Sequence, residues 1–222
     1  MVKITKMLLD NKSRLRAGGN YKKTSVTIHS TANEKSTAAN ERTWLDNISN
    51  NRNASWHYAV DEKSIIQALP DGEEAWHCSV KEGNRHSISI EICESGNRKK
   101  AVENAAYLTA KLLKKYGLGK EKIKQHYDWN GKNCPRILRD KKYVKDGADW
   151  NYFLKRVDFY MEERKVYKSI DEIPQWGKAT IKKLIEKGYI AGSSKINLNL
   201  DEMAVRILVI NDRAGIYDLK YL

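Results

Sequence analysis

Three residues of this chain carry side chains whose chemistry could converge on one ion. His29 closes the run Val26-Thr27-Ile28-His29, His126 follows Lys122-Ile123-Lys124-Gln125, and Cys134 lies in Lys132-Asn133-Cys134-Pro135. Catalytic zinc sites hold the metal through three protein ligands and leave the fourth tetrahedral position to water. Two imidazoles and one thiolate make such a set, and the segment from His126 to Cys134, with Gly131 inside it, is long enough to curl both side chains back onto one ion. Taken singly, each residue has a plainer reading. A histidine at a strand end is commonly a hydrogen-bonded structural group, and a lone cysteine before proline is commonly a small buried hydrophobe. Spacing alone leaves both readings open.

The elements that must position these residues follow from hydropathy period. Residues 25–29 alternate as a strand, with Val26 and Ile28 between polar neighbours. Residues 37–50 read as a helix with Ala38, Ala39, Leu45 and Ile48 as its apolar stripe. Residues 55–60 and 64–69 read as strands around a turn at Asp61-Glu62-Lys63, closed by Pro70-Asp71-Gly72. In residues 87–93, Ile88, Ile90 and Ile92 take one face of a strand, and Ser87, Ser89, Glu91 and Cys93 the other. Val102, Ala105, Ala106, Thr109, Leu112, Leu113 and Tyr116 keep helical spacing until Gly117 and Gly119 stop it. A short strand at 122–125 leads into His126, and Asp149 caps a last helix carrying Trp150, Phe153, Leu154, Val157 and Met161. The basic residues 1–24 read as a surface lead-in. Strands alternating with helices predict an α/β domain over residues 1–164 around one central sheet. Residues 165–171 read as a linker, and 165–222 as a small helical module. Its second helix, 200–211, is expected to turn Met203, Ile207 and Leu208 inward.

Composition bounds the partners. The chain has 222 residues, 41% hydrophobic and 31% charged, enough to bury a core. A net charge of +13 with a pI near 9.5 points to a polyanion. Nucleic acid, an anionic membrane face and an anionic cell wall all fit that charge, but the basic residues are scattered rather than confined to one stripe, which argues against nucleic acid. Three cysteines, an odd number, exclude a simple disulfide framework, and Cys78 and Cys93 read as structural. No stretch approaches the roughly 20 apolar residues of a membrane span. Met7 to Leu9 is far shorter than a signal-peptide core of about 7–15 apolar residues, so the chain is expected to be made in a cytoplasm.

Five stretches carry a resemblance. They are Val26-Thr27-Ile28-His29-Ser30-Thr31-Ala32-Asn33, Ser55-Trp56-His57-Tyr58-Ala59-Val60-Asp61, Ala75-Trp76-His77, Ser87-Ile88-Ser89-Ile90-Glu91-Ile92-Cys93, and His126-Tyr127-Asp128-Trp129 through Lys132-Asn133-Cys134-Pro135. In order and spacing, residues 24–140 resemble the type-2 N-acetylmuramoyl-L-alanine amidases, a group of phage endolysins, bacterial autolysins and animal peptidoglycan-recognition proteins. The resemblance implies a central mixed, mostly parallel sheet flanked by helices. It implies hydrolysis of the amide joining N-acetylmuramic acid to L-alanine in bacterial peptidoglycan, with zinc (Zn2+) as cofactor and His29, His126 and Cys134 as its ligands. Glu91, alone an ordinary strand-edge carboxylate, is implied as the general base. Lys132, alone a solvated charge, is implied as the stabiliser of the carbonyl oxygen. Some phage members use a tyrosine hydroxyl where this chain has Trp56, and an indole N–H has no proton to exchange near neutrality. The burden then moves to Glu91, leaving Trp56 as core packing or as a wall of the substrate groove. His77 is expected to border that groove as a substrate contact, His57 could face either way, and His86 reads as an exposed loop residue. Binding-only members tend to lose the zinc cysteine. This chain keeps it, which favours an enzyme over a recognition module.

In the C-terminal module, Gln175-Trp176-Gly177-Lys178-Ala179, then Ile181, Leu184, Ile185 and Gly188-Tyr189-Ile190-Ala191-Gly192, resemble an S-layer-homology unit that binds wall-linked polymers. The alternative is a packing or homodimerisation appendage. Together the parts suggest a phage endolysin, made in the host bacterial cytoplasm without a signal peptide and acting on the wall after release. Its expected partners are peptidoglycan and anionic wall polymers.

Overall fold

The computed structural model describes residues 2–47, 49–162, 166–190 and 198–218. It divides into two units, Met1–Glu162 and Glu163–Leu222. Ile48, the expected boundary at Arg164 and Lys165, and positions 191–197 of the expected inter-helix loop lie outside the described residues.

The first unit is built on six strands: β1 (Ile4–Lys6), β2 (Ser25–Ser30), β3 (Tyr58–Val60), β4 (Ile65–Gln67), β5 (Ser87–Ile92) and β6 (Ile123–Gln125), in the order β1-β4-β3-β5-β2-β6. Only β3 and β4 pair antiparallel, so the sheet is mixed and mostly parallel. The tight connection between them exists because the Asp61 carboxylate accepts hydrogen bonds from the main-chain N–H groups of Lys63 and Ser64, at 2.8 and 2.7 Å.

Alternation along the strands sorts the two faces. Val26, Ile28, Tyr58, Val60, Ile88, Ile90, Ile92 and Ile123 form one apolar layer with helices α3 (Arg98–Tyr116) and α6 (Trp150–Met161). Asn97 caps α3 by accepting from Lys100 N–H, and Gly117 ends it in the left-handed region at φ 62°, where a Cβ is disfavoured. Asp149 caps α6 on Tyr152 N–H. On the other face, Ala59 and Ile66 pack with Leu9, Leu15, Trp56, Leu69 and helix α1 (Ala38–Leu45). A Thr37–Asn40 capping box starts α1, and it ends at Leu45, short of the expected residue 50.

The N-terminal residues are not simply a surface lead-in. β1 lies parallel on β4, and Leu9 and Leu15 are each 1% exposed. A three-residue strand that follows Lys3 and ends in Lys6 has no alternation long enough to read, because pairing with β4 specifies it. Helix α2 (Lys81–His86) was likewise unmarked in the sequence, since it has no apolar stripe. Two short helices, α4 (Tyr127–Asn130) and α5 (Arg136–Arg139), flank the segment that carries Cys134.

The second unit contains helices α7 (Gln175–Glu186) and α8 (Glu202–Arg213) and an antiparallel pair, β7 (Val166–Tyr167) with β8 (Leu200–Asp201). Tyr167, Ile173, Ile181, Leu198, Val205 and Val209 form its core. The register of α8 corrects the expectation. Met203 and Ile207 are 62% and 50% exposed, while Val205 and Val209 turn inward beside half-buried Leu208. Positions 203–210 are apolar nearly all round, so helical period fits two faces. The Asp201 cap on Ala204 N–H sets where the helix starts.

Candidate metal centre and active site

Ligands of open sheets gather at the carboxyl ends of parallel strands, and the chemistry-bearing residues do so here. His29 lies one residue from the end of β2, in register with Glu91 on β5. His126 directly follows β6. The chain then turns through α4 and Gly131, and Tyr127 N–H donates to Cys134 O at 3.0 Å, which folds the cysteine back toward the strand ends. His29 Nδ1 is 3.0 Å from His126 Nδ1 and 3.8 Å from Cys134 Sγ. The three donor atoms all lie within 4.8 Å of one another, and all three residues are buried. Glu91 Oε1 is 3.9 Å from His29 Nδ1, and Ser30 N–H points at Cys134 Sγ from 3.4 Å.

The electrostatics of this basin come mainly from burial. Burial, then the charges that nearby histidines would carry, holds His29 well below its ordinary range; burial and the Lys132 charge lower His126 to about 4. The Cys134 thiol is pushed up to about 12, first by burial and then by Glu91. Glu91 is pushed up to about 8 by burial and by Glu41, against the pull of Lys132. Neutral imidazoles keep lone pairs free for a metal, and a bound cation deprotonates a coordinating thiol outright. An N, N, S donor set suits zinc. The buried Glu91 Oε2 meets no hydrogen-bond partner among the described residues, so it calls for a polar group in the basin. The residues present fit a zinc ion.

A groove of about 1180 Å³ opens over these groups. Exposed Lys132 lines it, close enough for its charge to act on His29, His126, Glu91 and Cys134. Trp56 unites the two roles left open for it. It is 7% exposed within the second apolar cluster and stacks on Trp44 at 5.7 Å, yet it also borders the groove, and its indole N–H finds no acceptor among the described residues.

His77 sits differently from the expected substrate contact. Its ring touches the groove floor, but Nδ1 is 2.9 Å from His29 Nε2 and Nε2 is 3.1 Å from Gly83 O, so both polar atoms are committed to the protein. His57 is fully buried beneath the site between Ser89 Oγ and Glu73 O, and His86 binds Lys22 O. Cys78 and Cys93 are buried, free, and outside the ligand set.

Sequence reasoning passed over Glu94. Its carboxylate, with a fully buried side chain, accepts from Ala32 N–H at 3.0 Å and from Arg136 Nη2 at 2.6 Å. It thereby ties the exit of β2 to the segment just after Cys134. A glutamate next to a strand end carries no sequence signal for that task.

The amidase CwlA of Bacillus subtilis (strain 168) is 41% identical over 152 residues, covering 64% of this chain and 55% of CwlA. XlyB of the same organism is 44% identical over 123 residues, covering 52% of this chain and 38% of XlyB. The chain thus spans about half the length of the curated relatives it matches. The catalytic domain of XlyA, also from Bacillus subtilis, superposes with a TM-score of 0.63 at 33% identity, covering 70% of this chain and 99% of that domain. Residues 20–137 match the family model described as N-acetylmuramoyl-L-alanine amidase, and the chain belongs to that family.

Proposed function

We propose that this protein is a zinc-dependent amidase that hydrolyses the bond between N-acetylmuramic acid and L-alanine in bacterial peptidoglycan. One observation carries the reading: His29, His126 and Cys134 converge at the floor of a groove, with Glu91 in register on the adjacent strand and its Oε2 without a hydrogen-bond partner among the described residues. His29, His126 and Cys134 would hold the ion, which supplies Lewis acidity toward water and the scissile carbonyl. Glu91 takes a proton from the attacking water, a task for a carboxylate that stands in register with His29 and keeps one oxygen without a hydrogen-bond partner among the described residues. It then returns that proton to the departing L-alanine amine. Lys132, at the groove wall, donates to the carbonyl oxygen as negative charge grows there. Trp44, Trp56 and Trp76 give the groove an aromatic wall against which the muramyl-peptide can lie.

The second unit we read as a wall-binding module. Its two-helix pattern and its lysines suit an anionic wall polymer. No helix among the described residues is long and apolar enough to cross a membrane.

The test is chemical. Purified walls digested by the protein should release new L-alanine amino groups and no new reducing sugars. Reducing sugars without amino groups would mean a glycosidase, and neither product, despite binding, would mean a recognition module. Metal analysis should find one zinc per chain, and removing it with a chelator should abolish lysis.

A further inference from the structure

Two ring contacts define what His77 does. A carbonyl oxygen can only accept a hydrogen bond, so the 3.1 Å contact to Gly83 O places the His77 ring proton on Nε2. A neutral imidazole then has a bare Nδ1, which can only accept. The proton in the 2.9 Å contact between His77 Nδ1 and His29 Nε2 therefore belongs to His29. That leaves the lone pair of His29 on Nδ1, the atom facing His126 Nδ1 and Cys134 Sγ. The tautomer of a ligand histidine is thus set by a peptide carbonyl of α2, relayed through a second histidine.

The protein has built a support for this relay. At Gly83 an added Cβ would collide with Cys78 Sγ and press on the Trp129 indole, so α2 brings its bare main chain against both. Trp129 is itself fixed by its indole N–H to Thr27 Oγ1 on β2, at 2.9 Å. From the next residue of α2, Asn84 Oδ1 accepts from the main-chain N–H groups of His77 and Cys78, each at 3.1 Å. Side chain and backbone of His77 are therefore both held by α2.

We propose that His77 is a positioning residue, which locks His29 in the tautomer and ring orientation that present Nδ1 to zinc, and is not a substrate contact. The proposal rests on the zinc reading above. Partners of this kind that hold a ligand imidazole are worth about 10–100-fold in metal affinity.

The experiment measures zinc affinity by competition with a chromogenic chelator in the full chain, for the wild type, His77→Leu and His77→Asn. Leucine keeps bulk without an acceptor, while asparagine can place its Oδ1 near the position of Nδ1. His77→Leu should bind zinc about 10–100-fold more weakly, and His77→Asn should recover most of the loss. A folded His77→Leu that binds zinc like the wild type, and instead raises KM, would restore the substrate-contact reading. Because the leucine variant could fail to fold, nitrogen-15 NMR of the wild-type histidine rings supplies a second readout. It should show His77 protonated on Nε2 and bare on Nδ1, and a ring protonated on Nδ1 would overturn the relay whatever the variants do. A wild type that takes up no zinc would defeat the metal reading, and the ring spectrum separates that failure from a failure of the relay.

Discussion

Strands β2 and β5 present opposite chemistry on their two faces. Toward α3 and α6, Val26, Ile28, Ile88, Ile90 and Ile92 are fully buried and apolar. On the other face stand Ser25, Thr27, His29, Ser87, Ser89 and Glu91, paired rung by rung. Low on that face the polar groups are satisfied: Thr27 and Ser87 share a hydrogen bond of 2.6 Å, and Ser89 binds His57 at 3.0 Å. At the carboxyl end of that face this is no longer so, since Glu91 Oε2 is buried without a hydrogen-bond partner among the described residues. Leaving a buried polar atom unpaired costs about 1–3 kcal/mol. One face is thus built for stability, and the edge of the other keeps polar capacity for a reaction.

That contrast can be broken most sharply at Glu91. Glu91→Ala should retain the fold and the zinc and lower turnover by at least about 10²-fold, the lower end for a general base. Lys132→Ala should cost roughly 10²–10³-fold, as for a lost oxyanion stabiliser. Steady-state kinetics on zinc-loaded variants decide this, and near-normal turnover in Glu91→Ala would remove the glutamate from the mechanism. One residue away, Ile90→Ala should do the reverse. Emptying that buried position should destabilise the protein by about 2–5 kcal/mol in denaturant titration, while the folded fraction turns over at close to the wild-type rate.

A second carboxylate sharpens the comparison. Asp71 is buried like Glu91, and burial alone would raise its pKa, but hydrogen bonds from Lys115, Tyr58 and Tyr116 outweigh burial and leave it below its ordinary value. A depressed carboxylate stabilises the folded state above its unfolded pKa of about 3.9 and loses that contribution as pH falls through the folded pKa. Asp71→Asn should therefore destabilise by about 1–3 kcal/mol at neutral pH, and the deficit should shrink in acid below about pH 4. A deficit independent of pH would assign the effect to packing. Asp71, held by three donors, serves the fold, whereas Glu91 keeps one oxygen without a hydrogen-bond partner among the described residues, as the proposed chemistry requires.

The apolar face was the legible part of the sequence. Period-two alternation in residues 87–93 marks β5 because both faces are long enough to show it. Gly117 and Asp149 mark helix ends by conformations and caps local to themselves. What escaped depends on distant partners. β1 exists through β4, and α2 exists through Gly83 packed against Cys78 and Trp129, where a glycine inside a helix reads as a breaker. In α8 the apolar residues encircle the helix, so pattern alone could not choose its buried side. At the site, residue types named the three candidate ligands, but their convergence came from the family resemblance. The inward commitment of His77 appears only when α2 is in place.

The smallest effect is expected from removing the second unit. Both apolar clusters of the first unit and every residue of the proposed mechanism lie before Glu163, so a chain ending at Glu162 should fold and retain chemistry. The second unit has its own core and places no residue in the ligand set. If it holds wall polymer, it raises the local concentration of substrate without touching the chemical step. Truncation should then slow lysis of intact walls, while kcat on a small soluble muropeptide stays nearly unchanged. Salt should weaken wall binding by the full chain more than by the truncated one, because lysines on a polyanion are screened. Loss of activity on the soluble substrate would instead mean that the second unit completes the fold or the active assembly, and the wall-anchor reading would fail.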